Sequence, residues 1–477
     1  MNSRDVNRVW GVTVGLLVTV FAACSNDPQT PAGTAITNVT VIDAANGVRE
    51  RQTVVFDGDR IVAVQSADDA VAVAETLDGT GKYLLPGLWD MHVHLTYDDA
   101  FTDAMPALFL AHGVTSVRDT GGLMHKVQPV VDAMRAPDAV APRVYYSGPL
   151  LDGRYVVYDG ESRPEIGARN ADIDMARANV QALKAAGVDF IKVYEMVSPA
   201  VFDALVSAGQ ENGLPVAAHV PLSMVASQAG PRVDSMEHLR NVELDCTVSA
   251  PELHEERLSV LANHDGGPGF ELRSSLHALQ RLRAISDYDP ERCARTIDNL
   301  RGTIQVPTLR LNTFAKYPPY EHPDWATVLD RLPLAAEADW REATAAWQAR
   351  DTSAAVDTTF AEWSLTLIGR MRDAGVPIGA GTDTPIGRAL PGFSLHTELE
   401  RLVEAGLSPL EAIESATVRP AEFLSLTDHM GAVAPDMVAD LVLLDENPLD
   451  DIRNTRSVYR VVSKGQVLDP RRLLENL

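Results

Sequence analysis

Five short stretches of this 477-residue chain close on residue types that bind metal. They are Asp90-Met91-His92-Val93-His94, Phe190-Ile191-Lys192-Val193-Tyr194, Ala217-Ala218-His219, Met236-Glu237-His238 and Gly381-Thr382-Asp383. Imidazole and carboxylate ligands suit zinc, and also iron, manganese, cobalt or nickel. Side chains two apart on a strand share a face, so His92 and His94 can reach one ion together. Singly these residues say little. His219 or His238 alone is more often a hydrogen-bonded core histidine, and Asp383 could cap a helix ahead of Pro385. The argument rests on the set, and Lys192 is its most informative member. Phe190, Ile191, Val193 and Tyr194 flank it, so its strand is expected to be buried. A buried ammonium without a partner is costly and tends to lose its proton. Either Lys192 pairs with a buried carboxylate such as Asp383 or Glu237, or it stands as a neutral amine that CO2 converts to a carbamate. A carbamate is an anion with two oxygens, able to bridge two metals in a hydrolytic site.

Something must bring these residues to one place. β-prone runs occur at Leu88–His94, Val114–Asp119, Arg143–Ser147, Val188–Tyr194, Pro215–His219, Val233–His238, Thr303–Leu309 and Pro377–Asp383. Several follow a helix-like stretch closed by glycine, as at Gly113, Gly187, Gly213 and Gly375, the usual stop just past a helix. Repeated helix–glycine–strand units imply parallel strands with helical crossovers. We therefore read residues 86–428 as an α/β TIM (β/α)8 barrel, whose site lies at the C-terminal ends of the strands. The long intervals around strands six to eight predict helical insertions over about 240–370, either a lid on the mouth or a packing decoration. The terminal pieces, 35–85 and 429–477, alternate apolar and polar residues. Asp57-Gly58 and Lys464-Gly465 mark turns in them. Neither piece can bury a core alone, so they are expected to pair into one discontinuous β-sandwich.

Composition narrows the partners. The formal net charge is −25, which makes nucleic acid and anionic membrane surfaces poor partners. Arg4 and Arg8 precede a short apolar run, Trp10 to Phe21, which ends at Ala22-Ala23-Cys24. This is the pattern of a signal peptide over 1–24. It resembles a bacterial lipobox, implying lipid attachment at Cys24 and a tether over 25–34. Export to the periplasmic side of the envelope follows, with the outer membrane favoured in a Gram-negative cell. Cys246 and Cys293 remain, and we expect them to be unpaired thiols.

Three motifs carry a resemblance to a known family. Leu85-Pro86-Gly87-Leu88-Trp89-Asp90-Met91-His92-Val93-His94-Leu95, Gly379-Ala380-Gly381-Thr382-Asp383 and Ala439-Asp440-Leu441-Val442-Leu443-Leu444-Asp445 resemble those of the amidohydrolase superfamily. The imidazolonepropionase-like and prolidase-like members are most similar, from about residue 35 to the C-terminus. The resemblance implies two divalent metals, zinc being the usual choice. His92, His94 and Asp383 would hold the buried one, His219 and His238 the exposed one, and carboxylated Lys192 would bridge them. A bridging hydroxide would attack the substrate carbonyl, with the catalytic Asp383 taking its proton and passing it to the leaving group.

Deaminases and single-metal members usually lack the strand-four lysine. Here Leu239-Arg240-Asn241 follows His238, where deaminases carry a glutamate. The expected reaction is hydrolysis of an amide bond in a dipeptide (Xaa-Pro type) or N-acyl amino acid. The alternatives are a deaminase or cyclic-amide hydrolase, and a non-catalytic metal-binding lipoprotein. A homo-oligomer is compatible with the sequence. Weaker candidates for substrate contact are Tyr155 and Tyr158, near Arg154 in the loop after strand three, with Tyr194 and His396. Arg118 and Asp119 read as structural. His112 reads as a cation complementing a helix dipole.

Overall fold

The computed structural model describes residues 33–475 apart from 162, 265, 352 and 354. The signal segment, Cys24 and most of the tether lie outside the described residues. Among the described residues, no helix is long and apolar enough to cross a membrane. The architecture is α/β, with one mixed sheet and two parallel ones.

The N-terminal piece forms β1 (Thr34–Asp43), β2 (Gly47–Asp57), β3 (Arg60–Ser66), β4 (Glu75–Asp78) and β5 (Tyr83–Pro86). The parallel strands follow: β6 (Leu88–Val93), β7 (Val114–Asp119), β8 (Arg143–Tyr146), β9 (Leu150–Asp152), β10 (Gly167–Arg169), β11 (Ile191–Val193), β12 (Val216–Ala218), β13 (Ser235–Glu237) and β14 (Ile304–Val306). The C-terminal piece adds β15 (Leu441–Leu444), β16 (Val458–Ser463) and β17 (Gln466–Leu468).

Both chain ends share one eight-stranded sheet, ordered β17-β16-β15-β5-β1-β2-β3 with β4 also on β1. The seam is the antiparallel pairing of β5 with β15, Leu441 opposite Pro86 through Leu444 opposite Tyr83. Because β5 joins β1 on one edge and β15 on the other, the two pieces extend one ladder. They do not form the two separate sheets that a sandwich implies. Alternation puts Ile36, Val41, Val54, Phe56, Leu441 and Leu443 in a core of their own. Lys464 and Gly465 both adopt positive φ, 51° and 78°, which a tight hairpin turn demands.

The ladders β6-β7-β8 and β10-β9-β11-β12-β13-β14 are parallel throughout. Crossover helices have clear sequence causes. Asp172 caps Ile173–Ala186 by accepting from the Met175 N–H, and Gly187 ends it at φ 84°. The two ladders touch where the Asp189 N–H donates to the Tyr146 carbonyl. On the far side, residues 377–384 lie between β14 and β6. Ile378 bridges Gln305, and Thr384 bridges Val93. An eighth strand was expected there, and isolated bridges stand in its place. Glycine weakens strand pairing, and Asp383 leaves the extended region at φ 62°. Gly381 is needed for the close approach: a Cβ there would sit 2.8 Å from that of His92.

The insertions are helical, including Ala250–Ala262, Gly269–Ser286, Pro290–Asn299, Leu334–Gln348 and Thr359–Asp373. Within them the expectation of free thiols fails, because Cys246 and Cys293 form a disulfide across 47 positions. Cys246 ends the short helix Val242–Asp245, and Cys293 lies on Pro290–Asn299. The Asp289 N–H donates to the Cys246 carbonyl and holds the two helices together. That proximity is tertiary and leaves no trace in the spacing.

Candidate metal centre

The five ligand-bearing stretches converge on one cavity. His92 lies on β6 and Lys192 on β11. His94, His219, His238 and Asp383 sit just beyond strand or bridge ends. Each histidine has its Nδ1 engaged, which turns Nε2 toward the shared space. His92 Nδ1 lies 2.7 Å from Glu237 Oε2, and His94 Nδ1 is 3.0 Å from the Gly121 carbonyl. His219 Nδ1 is 2.7 Å from Glu195 Oε1, and His238 Nδ1 is 2.6 Å from Thr308 Oγ1. A carboxylate or carbonyl on Nδ1 fixes the tautomer and raises the basicity of Nε2, as around metal-bound histidines.

The rings of His92 and His238 are 4.5 Å apart, and those of His219 and His238 4.7 Å. Asp383 Oδ1 approaches His92 Nε2 at 3.2 Å and His94 Nε2 at 3.1 Å. His92, His238 and Asp383 each offer a donor atom within 4.8 Å of the others, a possible metal site. His238, Thr308 and Asp383 adopt positive φ without being glycine, at 61°, 47° and 62°. Such backbone costs about 1–3 kcal/mol per residue and concentrates at functional sites.

Lys192 is completely buried, and its Nζ has no hydrogen-bond partner. Glu237 Oε1 is 3.8 Å away, but that carboxylate is already held by Arg118, Ser235 and His92 at 2.7–2.8 Å. Burial pushes the Lys192 ammonium down to about 8, against the pull of Glu237. A buried polar atom left unsatisfied costs about 1–3 kcal/mol, so it needs an explanation. Burial, then the charge on Lys192, also pushes His219 down to about 3. Burial alone would raise the Asp383 carboxyl, but His238, His92 and His94 outweigh it and hold it well below the usual range. Imidazoles with Nδ1 engaged, an ionised carboxylate and a buried amine that can become a carbamate form a donor set that fits divalent metal.

Several site contacts escaped the sequence reading. Glu195 is a buried carboxylate near a predicted ligand, and that nearness was the available signal; Glu237 was weighed only as a partner for Lys192, and its contacts with His92 and Arg118 were not foreseen. Glu195 also accepts from Arg273 and His277, at 2.9 and 2.8 Å. Asp90 receives the Thr382 hydroxyl and N–H, at 2.6 and 2.9 Å, and so positions the approach to Asp383. Arg310 donates to the carbonyls of Thr382, Ile386 and Gly387, clamping the loop that carries Asp383.

The cavity over the ligands has a volume of about 480 Å³. Tyr158 and Tyr194 line it, with Tyr97, Phe270, Phe314 and Phe360. Tyr155 does not: it packs on His264, ring centroids 4.6 Å apart. His396 is not at the site either. Its Nδ1 pairs with Thr455 Oγ1 and its Nε2 with the His112 carbonyl, which ties Phe393–Glu404 to the C-terminal piece. Arg118 is structural in a particular way, bonding Glu237 rather than Asp119. His112 is no helix-dipole cation, because burial and then Arg331 push it down to about 3. The insertions supply part of the wall: Phe270, Arg273 and Arg281 come from Gly269–Ser286, and Phe360 from Thr359–Asp373.

Residues 364–468 match the amidohydrolase family. Over 454 residues the chain is 23% identical to imidazolonepropionase of Streptomyces griseus, covering 91% of this chain and 93% of that one. It is 41% identical to adenine deaminase 2 of Jannaschia over 69 residues, only 14% of this chain and 11% of the deaminase. Among solved structures, a Xaa-Pro dipeptidase with methionine in its active site superposes with TM-score 0.65. The identity is 20%, over 92% of this chain and all of that one. The bottromycin amidohydrolase gives TM-score 0.67 at 22% identity, over 93% and 89% of the two chains.

Proposed function

We propose that this chain, with its amidohydrolase-family segment, is a metal-dependent hydrolase of C–N bonds that cleaves the amide of a dipeptide or N-acyl amino acid. The observation that carries the reading is Lys192: a buried amine on β11 with no hydrogen bond and only a 3.8 Å approach to Glu237, in a cavity lined by the four histidines and Asp383. His92, His94 and Asp383 would hold one divalent ion, His219 and His238 a second, and carboxylated Lys192 would join them. Bound there, such ions supply Lewis acidity and activate water near neutral pH.

The chain's own residues do the rest. Glu237 and Glu195 hold the imidazoles in the ligating tautomer. Asp383, ionised at rest, takes a proton from the attacking water and returns it to the leaving nitrogen. Tyr158 and Tyr194 line the substrate space and orient the acyl side. The parallel ladders and the bridges at residues 377–384 support a closed (β/α)8 barrel. The disulfide supports an oxidising compartment, in keeping with export and a lipid anchor at Cys24.

The second reading is a deaminase or cyclic-amide hydrolase, favoured by the long similarity to imidazolonepropionase. Against it, Leu239, Arg240 and Asn241 follow His238 with no glutamate among them. One screen separates the two: the metal-loaded protein is offered Xaa-Pro and other dipeptides, N-acyl amino acids, imidazolone propionate and adenine. Release of free amino acid from the first two groups is the expected result. Ammonia from adenine or ring opening of the imidazolone, with no amino acid released, would overturn it.

A further inference from the structure

Three arginines from two elements meet on one wall of the cavity, and two of them are already neutralised. Arg273 pairs with Glu195 at 2.9 Å, and Arg281 with Glu243 at 3.3 Å. Arg240 has no such partner. Among the described residues its side chain makes no hydrogen bond or ion pair, and its Nε is closed off from solvent without an acceptor. The rest of the guanidinium faces open space. Arg240, Arg273, Arg281 and Phe360 are shared between the 480 Å³ cavity over the ligands and a second cavity of about 560 Å³. The second cavity brings one carboxylate near, Asp357, and the first brings Asp383, which is committed to the histidines. Arg163 also borders the first cavity, but from its exposed rim, with its guanidinium over Phe270 at 4.1 Å.

The backbone that carries Arg240 is built at a cost. His238, Leu239 and Asn241 all adopt positive φ, at 61°, 57° and 62°. None is glycine, and such strain persists only where the surroundings hold it. Here they do: Asn241 donates to the Val220 carbonyl and accepts from Arg257, both at 2.9 Å, and the Asn312 side chain donates to the His238 carbonyl at 2.9 Å. This turn holds Arg240 two residues from a predicted ligand, so whatever it binds lies a short, fixed distance from the reacting bond. A planar fork of donors with no internal acceptor is matched by a carboxylate.

We propose that Arg240 seats the free carboxylate of the residue on the leaving side of the amide. It thereby makes the enzyme select peptides and N-acyl amino acids over their neutral carboxamides. The carboxylate lies on the wall between the two cavities, and the second cavity takes the side chain of that residue. This deepens the amide-hydrolase reading and rests on it.

The test compares matched pairs, Ala-Pro with its C-terminal carboxamide and N-acetyl-Phe with its carboxamide, on metal-loaded wild type, Arg240→Met and Arg240→Lys. Losing a charge-assisted hydrogen bond costs roughly tenfold to hundredfold. The acid is therefore expected to exceed the amide by at least that factor in kcat/KM for wild type. In Arg240→Met the ratio should fall toward one, mainly through a higher KM for the acid, with metal content unchanged. Arg240→Lys should recover part of the preference. Wild type that shows no acid preference, or Arg240→Met that keeps it, overturns the carboxylate seat and leaves amide hydrolysis standing. No turnover of any pair by metal-loaded wild type removes the amide-hydrolase reading, and this inference with it. If Arg240→Met fails to fold, the wild-type ratio and Arg240→Lys decide.

Discussion

At the scale of single residues, buried carboxylates stand behind two of the candidate imidazole ligands. Glu237 accepts from His92 and Arg118, and Glu195 joins His219, Arg273 and His277. Glu237→Gln and Glu195→Gln keep the shape but lose the charge behind Nδ1. Each is expected to weaken metal binding by about tenfold to hundredfold, measured by competition with a chelator. An unchanged affinity would mean that these contacts only pack. The convergence of the candidate ligand side chains on one cavity was legible, because histidine, lysine and aspartate recur at the ends of predicted strands. The carboxylates behind them were less so. Glu195 and Glu237 adjoin predicted ligands, yet their partners Arg273, His277 and Arg118 come from distant segments, and sequence spacing does not encode that meeting. Tyr155 and His396 misled for the same reason: nearness along the chain to strand ends did not bring them into the cavity.

At the scale of elements, glycine and a covalent link set the geometry. Gly381 lets residues 377–384 lie against β6, where an added Cβ would meet the His92 Cβ at 2.8 Å and its N at 3.0 Å. Gly381→Ala is therefore expected to displace His92 and reduce metal content while the fold survives, read by metal analysis beside circular dichroism. Full metal occupancy would show that the contact relaxes harmlessly. The Cys246–Cys293 bridge closes 47 positions of the insertion that carries Arg273 and Arg281. A loop of that size contributes about 4 kcal/mol in the chain-entropy picture, and 2–4 kcal/mol is the usual range. Cys293→Ser should lower stability to denaturant by about that amount; no change would mean the pair is not oxidised in solution. The seven other barrel-type strands were readable from their apolar runs and glycine stops. The run at Pro377–Asp383 looked like an eighth, but its glycines and the left-handed Asp383 break it into bridges.

At the scale of the whole molecule, the two chain ends close one sheet, and residues 86–428 run between its halves. Leu441 is fully buried where β15 meets β5. Leu441→Ala should cost about 2–5 kcal/mol, measured by chemical denaturation. It should leave the metal affinity of the folded fraction unchanged, because the sheet has a core separate from the site. Pairing of the ends was foreseeable, since neither could bury a core alone. A single continuous sheet was not, because strand order depends on which edges meet. The central claim concerns the whole chain: one polypeptide assembles a two-metal centre bridged by Lys192. The most direct measurement is metal content per chain, on wild type and Lys192→Ala purified with bicarbonate and a divalent metal present. About two ions in wild type and about one or fewer in the variant is the result this account predicts. One ion in both proteins would contradict it, remove Lys192 from the metal centre, and move the deaminase or cyclic-amide reading to first place.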